Sequence, residues 1–223
     1  ALFTSVSATC VTGLVTQVTA THWSVFGQVV ILFLIQIGGL GFMTMAVLFS
    51  LLLGRAVTPK ERMIIAMSFN LNSYDRIIVL VRRILFGTLI IEGTGAVALS
   101  TQFIPAFGWG RGIWYSVFHS VSAFCNAGFD ILGCAGQQYL SLMGYEQNPI
   151  VNFVIMLLII IGGIGFLTWN DLYRHRLRMR RYQMQSKVIL LMTAILIFLP
   201  ALFFFFVDFA DMPLHERVLA ALF

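Results

Sequence analysis

The chain has 223 residues, of which 59% are hydrophobic and only 10% are charged. Soluble domains usually carry about 25% charged residues, so water could not solvate a globule of this composition, and the bilayer is its natural solvent. The formal net charge of +5 does not indicate a nucleic-acid-binding protein, because the positive charge is gathered in two of the connections between apolar segments.

Four stretches have the length and composition of membrane spans, which need about 20 mostly apolar residues. In chain order they are residues 25–53, 77–99, 150–169 and 188–207. Of the 14 Lys and Arg residues, all but Arg111 and Arg217 lie between or at the edges of the first two spans, or between the last two. Since positive residues favour the cytoplasmic side, we expect residues 54–76 and 174–187 there, and residues 100–149 and 208–223 outside.

Two sequence motifs occur twice, in the same order. Residues 5–14 (SVSATCVTGL) return as residues 120–129 (SVSAFCNAGF). Residues 37–44 (IGGLGFMT) return as residues 161–168 (IGGIGFLT). Ordered repeats in an apolar chain indicate an internally duplicated membrane protein.

The second copy of the first motif ends a short apolar segment, residues 113–124, which is too short to span a bilayer. Both of its flanks lie on the predicted outer side, so it is predicted to dip into the membrane and return. Residues 1–9 match the end of such a segment, and residues 214–223 match the start of another.

The predicted fold is an all-α membrane protein that repeats one unit of span, pore helix, loop and span. Residues 1–53 end the first unit, residues 77–173 form the second, and residues 188–223 begin a third. We therefore expect the chain to be a fragment of a longer protein.

The predicted functional residues surround the glycine that follows each dipping segment. Glycine adopts backbone angles closed to other residues, and the carbonyl oxygens of an extended loop can replace the hydration shell of potassium. The loops carry no acidic side chain, which favours potassium, or potassium with sodium, over calcium. The alternative is that each glycine only terminates a helix. The predicted filter residues are Val11, Thr12, Gly13, Asn126, Ala127 and Gly128, flanked by Cys10 and Cys125.

These motifs resemble the membrane subunit of the Trk/Ktr/HKT potassium transporter family, most closely its KtrB-like branch. The matching residues are Gln28 and the stretches 9–14 (TCVTGL), 34–41 (LIQIGGLG), 124–130 (FCNAGFD), 162–166 (GGIGF), 171–172 (DL) and 186–187 (SK). The resemblance implies four units arranged pseudo-fourfold around one pore, each with one filter glycine, by match Gly13 and Gly128. It also implies a homodimer in a bacterial cell membrane.

The resemblance further implies a cytoplasmic regulatory ring of RCK type. Nucleotide would then act only through that partner, potassium would be the transported ion, and no covalent cofactor is expected. The chain departs from the family pattern after the first filter, where residues 15–19 (VTQVT) offer no acidic group.

The predicted function is potassium uptake, gated from the cytoplasmic side. The alternative is an ion-coupled secondary transporter of a small solute with broken helices, although such repeats are usually inverted and these run parallel. An intramembrane enzyme is disfavoured, because the chain has no HExxH or GxSxG motif and no paired intramembrane aspartates.

Three features outside the filter have two interpretations each. Glu92, inside a span, either pairs with a basic residue or lines the pore. Gly38, Gly39 and Gly41 favour close helix packing, with a hinge as the alternative. The basic run 174–181 follows from membrane topology, or it contacts a regulatory subunit or anionic lipid.

Overall fold

The computed structural model describes residues 1–41, 63, 77–133, 141–175, 179–209 and 213–222. The regular elements in these residues are all helical, as expected. The α-helices are α1 (Leu2–Thr9), α2 (Thr19–His22), α3 (Val25–Leu40), α4 (Ile77–Phe107), α5 (Trp109–Phe124), α6 (Pro149–Gly163), α7 (Phe166–His175), α8 (Met184–Phe206) and α9 (Leu214–Leu222). Outside the described residues lie Cys134, nearly all of the predicted connection 54–76, and residues 42–53 of the first predicted span.

Two of these helices are long and apolar enough to cross a membrane. They are Val81–Phe107, of 27 residues, and Met184–Phe206, of 23 residues. The first of them runs past the predicted end at residue 99, and it stops only at Gly108, whose φ is +80°. The observed helix therefore includes residues that the sequence assigned to an outer loop.

The third predicted span, 150–169, is broken. α6 and α7 meet at an angle of 96°. Gly165, which lies between them, has a φ of +87°, a conformation that glycine adopts at little cost. Gly41, its counterpart in the first copy, follows the end of α3 and has a φ of +79°. Hydropathy did not reveal the break, because it measures composition and not backbone direction.

α4 and α5 form an antiparallel hairpin that brings the second loop back alongside the middle of α4. Ser120 Oγ donates to the Glu92 carbonyl oxygen at 2.7 Å, near the C-terminal end of α5. At 1.5 Å per residue, Glu92 lies about 22 Å along α4 from Phe107. α5 thus returns only about halfway along α4 before the chain turns, and its dip into the membrane stays a prediction.

The packed core lies where α5 meets α3, α4 and α6. The largest fully buried side chains include Phe103, Phe118, Ile35, Leu99 and Ile131. Lipid tails are as apolar as these side chains, so shape complementarity and dispersion, and not the hydrophobic effect, hold membrane helices together. Gly95 shows the required closeness, since a Cβ there would lie 2.6 Å from Ser120 Oγ.

Asp171 joins α7 to the start of α8. Its carboxylate is buried and accepts hydrogen bonds from Gln183 N at 3.0 Å and from Ser186 Oγ at 2.7 Å. Gln183 is the N-cap of α8, so the negative group lies at the positive end of that helix. This contact therefore links the residues just before the predicted cytoplasmic connection 174–187 to its C-terminal end.

Candidate ion-selectivity site

The two predicted filter loops share one backbone conformation. Val11 and Asn126 have φ of +57° and +56°, and Gly13 and Gly128 have φ of +73° and +71°. The residue between each pair, Thr12 or Ala127, does not have a positive φ. A glycine that only ends a helix accounts for one left-handed residue. Two left-handed residues separated by one other define a shaped loop, repeated in both copies.

Val11 makes this loop strained in the first copy. A β-branched residue at positive φ is an outlier, whereas asparagine at the equivalent position tolerates the left-handed conformation. In the amide orientation that satisfies both groups, Asn126 donates to the Ile159 carbonyl at 3.3 Å and accepts from Gly163 N at 3.2 Å. Strain of this kind concentrates at functional sites.

The main-chain hydrogen bonds of the two loops also correspond. At the end of α1 and of α5, main-chain N–H groups of the following residues donate hydrogen bonds to carbonyl oxygens in the last turn of the helix. The pairs are Cys10 N to Val6 O (2.8 Å) and Cys125 N to Val121 O (2.9 Å), and then Thr12 N to Ser7 O (2.9 Å) and Ala127 N to Ser122 O (2.8 Å). The sequence duplication therefore extends to main-chain geometry.

A serine in α1 and one in α5 each donate a hydrogen bond to the carbonyl of the residue that follows the glycine of the loop. Ser7 Oγ donates to the Leu14 carbonyl at 2.7 Å, and Ser122 Oγ donates to the Phe129 carbonyl at 2.6 Å. Each bond spans the predicted filter glycine of its loop. The sequence analysis missed these residues, although the repeated SVSA motif carried the signal.

The glycines of the second motif let the following span touch the pore helix. A Cβ on Gly38 would collide with the Thr9 carbonyl oxygen, and one on Gly162 would collide with the Phe124 carbonyl oxygen. Thr9 and Phe124 are the last residues of α1 and α5. Close packing is therefore the role of these glycines, while Gly41 is the one at positive φ.

The two loops lie against each other. A Cβ on Gly13 would lie 2.5 Å from the Ala127 carbonyl oxygen and 3.3 Å from Gly128 Cα. Thr12, Asn126 and Gly128 are exposed, whereas Ala127 is buried. The loops thus form one continuous surface with an open face.

Glu92 was expected either to pair with a basic residue or to line the pore, and within the described residues it has a neutral partner. Gln36 Nε2 donates to Glu92 Oε2 at 3.2 Å. Cys125 Sγ lies 4.0 Å from Glu92 Oε1, and a Cβ on Gly39 would collide with that sulfur. Cys125 is buried and unbridged, while Cys10 is exposed and unbridged.

A second polar contact joins the two copies. Trp114 Nε1 donates to Gln28 Oε1 at 2.9 Å, and Gln28 Nε2 donates to the Trp23 carbonyl at 3.3 Å. Asn152 occupies the position equivalent to Gln28 and donates to the Glu146 carbonyl. Its buried Oδ1 has no hydrogen-bond partner in the part of the chain that the structure describes.

The family model for TrkH, described as a cation transport protein, matches residues 1–223. The chain belongs to the TrkH family. This confirms the resemblance and, with the apolar helices, an all-α multi-pass membrane protein. The pseudo-fourfold arrangement of units stays a prediction.

Curated relatives of this TrkH-family chain are bacterial. It is 45% identical over 197 residues to the potassium/sodium uptake protein NtpJ of Enterococcus hirae, covering 88% of the chain and 42% of that protein. It is 41% identical to the Ktr system potassium uptake protein B of Bacillus subtilis, covering 95% of the chain and 46% of the relative. The protein of the same name in Vibrio alginolyticus is 32% identical, with coverages of 93% and 45%.

The TrkH-family chain therefore spans less than half the length of these relatives. All three are named as uptake proteins and not as enzymes, in agreement with the sequence analysis.

An acidic residue borders the second loop only. Asp130 follows Gly128 by two positions and lines a cavity of about 250 Å³ together with Ser122, Asn126 and Ser141. Burial raises the pKa of Asp130, although backbone hydrogen bonds oppose the shift. Asp130 would therefore add negative potential beside the second loop, and the first loop has no equivalent acidic residue.

Proposed function

We propose that the complete protein carries potassium, with sodium as a possible second ion, into the cell through a filter of main-chain carbonyls. The observation that carries this proposal is the duplicated left-handed loop at Val11–Gly13 and Asn126–Gly128. Alternating left- and right-handed residues gather successive N–H groups on one side of a chain. The carbonyl groups then lie on the other side, where they can replace the hydration shell of an alkali ion.

The pore helices favour a cation at the same place. α1 and α5 both end at the loops, so the partial negative charge of each helix C-terminus faces the proposed ion path. No chemical step is required, because an inside-negative potential favours entry by about 2.3 kcal/mol per charge per 100 mV. The names of the relatives support potassium and sodium as the transported ions.

Further units of the complete protein would close the open face of the two loops. We propose the pseudo-fourfold ring that the family resemblance implies, with one filter glycine in each unit. We also propose a homodimer and a cytoplasmic nucleotide-binding ring of RCK type, which gates uptake from the cytoplasmic side. The basic connection 174–187 offers such a partner a surface, since Arg180 and Arg181 are exposed.

Substitution of Gly128 by serine in the complete protein tests the filter. The expected result is weaker discrimination of potassium against sodium, because a side chain at this exposed left-handed position strains and crowds the carbonyl loop. Potassium and sodium uptake should be measured in cells that lack other potassium uptake systems. Unchanged selectivity at normal expression would remove Gly128 from the filter.

An ion-coupled secondary transporter is the second candidate, because the 96° break between α6 and α7 resembles the broken helices of that class. In proteoliposomes, a filter passes potassium under a voltage alone. A coupled transporter instead stops when its second ion or solute is withdrawn, and that dependence would select the alternative.

Ser122→Ala should loosen the filter without unfolding the protein. The Phe129 carbonyl would lose its partner, and a buried group left unpaired costs about 1–3 kcal/mol. We expect the ratio of potassium to sodium uptake to fall about fivefold or more. Ser100→Ala is the matched control, because Ser100 Oγ bonds only within its own helix, to the Val97 carbonyl. Equal ratios in the two variants would show that the Ser122 bond does not shape selectivity.

A further inference from the structure

A groove of about 450 Å³ runs between α4 and α7, apart from the filter loops. Its walls are mostly apolar or aromatic. They include Phe86 and Ile90 on α4 and Trp169 and Tyr173 on α7, and the polar lining residues are Arg83 and Asn170. An apolar trough with cationic and amide groups matches an amphiphile better than a water-soluble ligand.

The break after α6 builds this groove. It turns α7 away from the axis of α6 and across the face of α4. Gly87 makes room for the indole of Trp169, since a Cβ there would lie 3.4 Å from Trp169 Cζ3. Trp169 Nε1 donates to the Ile161 carbonyl at 2.9 Å, so the ring is held in place. The groove is therefore pre-formed.

Two guanidinium groups lie at one end of the groove. The Arg83 guanidinium lies 5.5 Å from the Tyr173 ring centre, and that of Arg82 lies 5.8 Å from the Phe86 ring centre. In the described part of the chain, the two guanidinium groups contact these rings and no carboxylate. Asp171, the acid on α7, already bonds to the start of α8. The positive charge is thus available to a ligand.

The guanidinium end lies at the level of lipid head groups. The spanning part of α4 begins at Val81 and has 27 residues, a length of about 40 Å, which exceeds the hydrocarbon thickness of about 30 Å. Arg82 and Arg83 lie in its first turn, on the side that the positive-inside rule assigns to the cytoplasm. Ile90 lies about 10 Å deeper.

We propose that this groove binds a phospholipid with an anionic head group from the cytoplasmic leaflet. Arg83 would hold the phosphate, since guanidinium forms bidentate bonds to phosphate oxygens, and the Asn170 amide would supply a further donor. One acyl chain would lie along Phe86, Ile90 and Trp169. The lipid would then bridge the first span of the second unit to the helix that leads into the basic connection. The filter assignment plays no part in this proposal.

Trp169 gives the proposal a built-in probe. The complete protein should be reconstituted in bilayers of phosphatidylcholine with a minor fraction of brominated phosphatidylglycerol, or of brominated phosphatidylcholine. The fluorescence of Trp169 is obtained by subtracting the tryptophan emission of the Trp169→Phe variant from that of the wild type. We expect brominated phosphatidylglycerol to quench it several-fold more effectively than brominated phosphatidylcholine, and Arg83→Gln to remove that preference.

Two further variants make the test decisive. Arg180→Gln removes a neighbouring exposed charge outside the groove and should leave the preference intact. Arg83→Lys keeps the charge without the planar fork and should retain part of it, which also guards against misfolding of the glutamine variant. Equal losses in Arg83→Gln and Arg180→Gln would reduce the effect to general surface attraction and overturn the site. If neither brominated lipid quenched Trp169, the groove would be covered by protein, and that result would also overturn the proposed lipid site.

Discussion

Replacement of Gly13 by alanine in the complete protein is expected to abolish potassium-selective uptake, whereas Gly128→Ala should only weaken it. Both glycines have a left-handed backbone, which costs an alanine about 1–2 kcal/mol. Of the two, Gly13 is the one where the new Cβ would also collide with main chain, at 2.5 Å from the Ala127 carbonyl oxygen. The nearest atom to a Cβ on Gly128 is Gly13 Cα, at an ordinary 3.6 Å. The collision at Gly13 falls on a proposed ion ligand.

The measurement is rubidium and sodium uptake into proteoliposomes that hold equal amounts of each variant. Gly93→Ala serves as the control, because a Cβ there meets nothing within 4 Å. A Gly13→Ala protein that is as selective as the Gly128→Ala protein, or more so, would contradict the close approach of the two loops.

Gly162→Ala is expected to destabilise the protein and to stop transport. The added Cβ would collide with the Phe124 carbonyl oxygen, at the end of α5. Overpacking typically costs about 1–3 kcal/mol, and here a backbone group, not a side chain, must move. Because the proposed filter loop starts at this point, a displacement of α5 also displaces the loop.

Gly163→Ala provides a matched pair with the adjacent residue, since among the described residues its Cβ would meet the Asn126 side-chain amide at an ordinary 3.6 Å. Thermal unfolding of the complete protein in detergent, followed by uptake assays, compares the two. We expect Gly162→Ala to unfold several degrees lower, and Gly163→Ala to remain near the wild type. Similar melting of both variants would show that α5 does not rest on the glycine face of α6.

The repeated motifs allowed much of the local geometry to be predicted from the sequence. The pairing of the motifs predicted that Gly13 and Gly128 occupy equivalent positions. In the structure the two loops have matching φ angles and main-chain hydrogen bonds. The sequence also predicted a short helix before Gly128, and the structure has α5 there, ending at Phe124. That these loops bind an ion stays a prediction, which the glycine and serine variants decide.

Other features depend on interactions that a linear pattern does not contain. The break at Gly165 is a backbone event inside a uniformly apolar stretch. The partner of Glu92 is Gln36, 56 residues earlier in the chain, and no local spacing indicates that pair. Ser7 and Ser122 are part of the repeated sequence motif, but only the structure showed which carbonyl each hydroxyl group bonds to.

The bond between Gln28 and Trp114 has a consequence for biogenesis. Its donor and acceptor are 86 residues apart, so the ribosome delivers Gln28 to the bilayer well before Trp114. Until then the amide oxygen needs water, lipid head groups or an insertase as a temporary companion, because an unpaired polar group in hydrocarbon costs several kcal/mol, roughly. The amide of Gln28 would thus reach its final partner only after the second copy has entered the membrane.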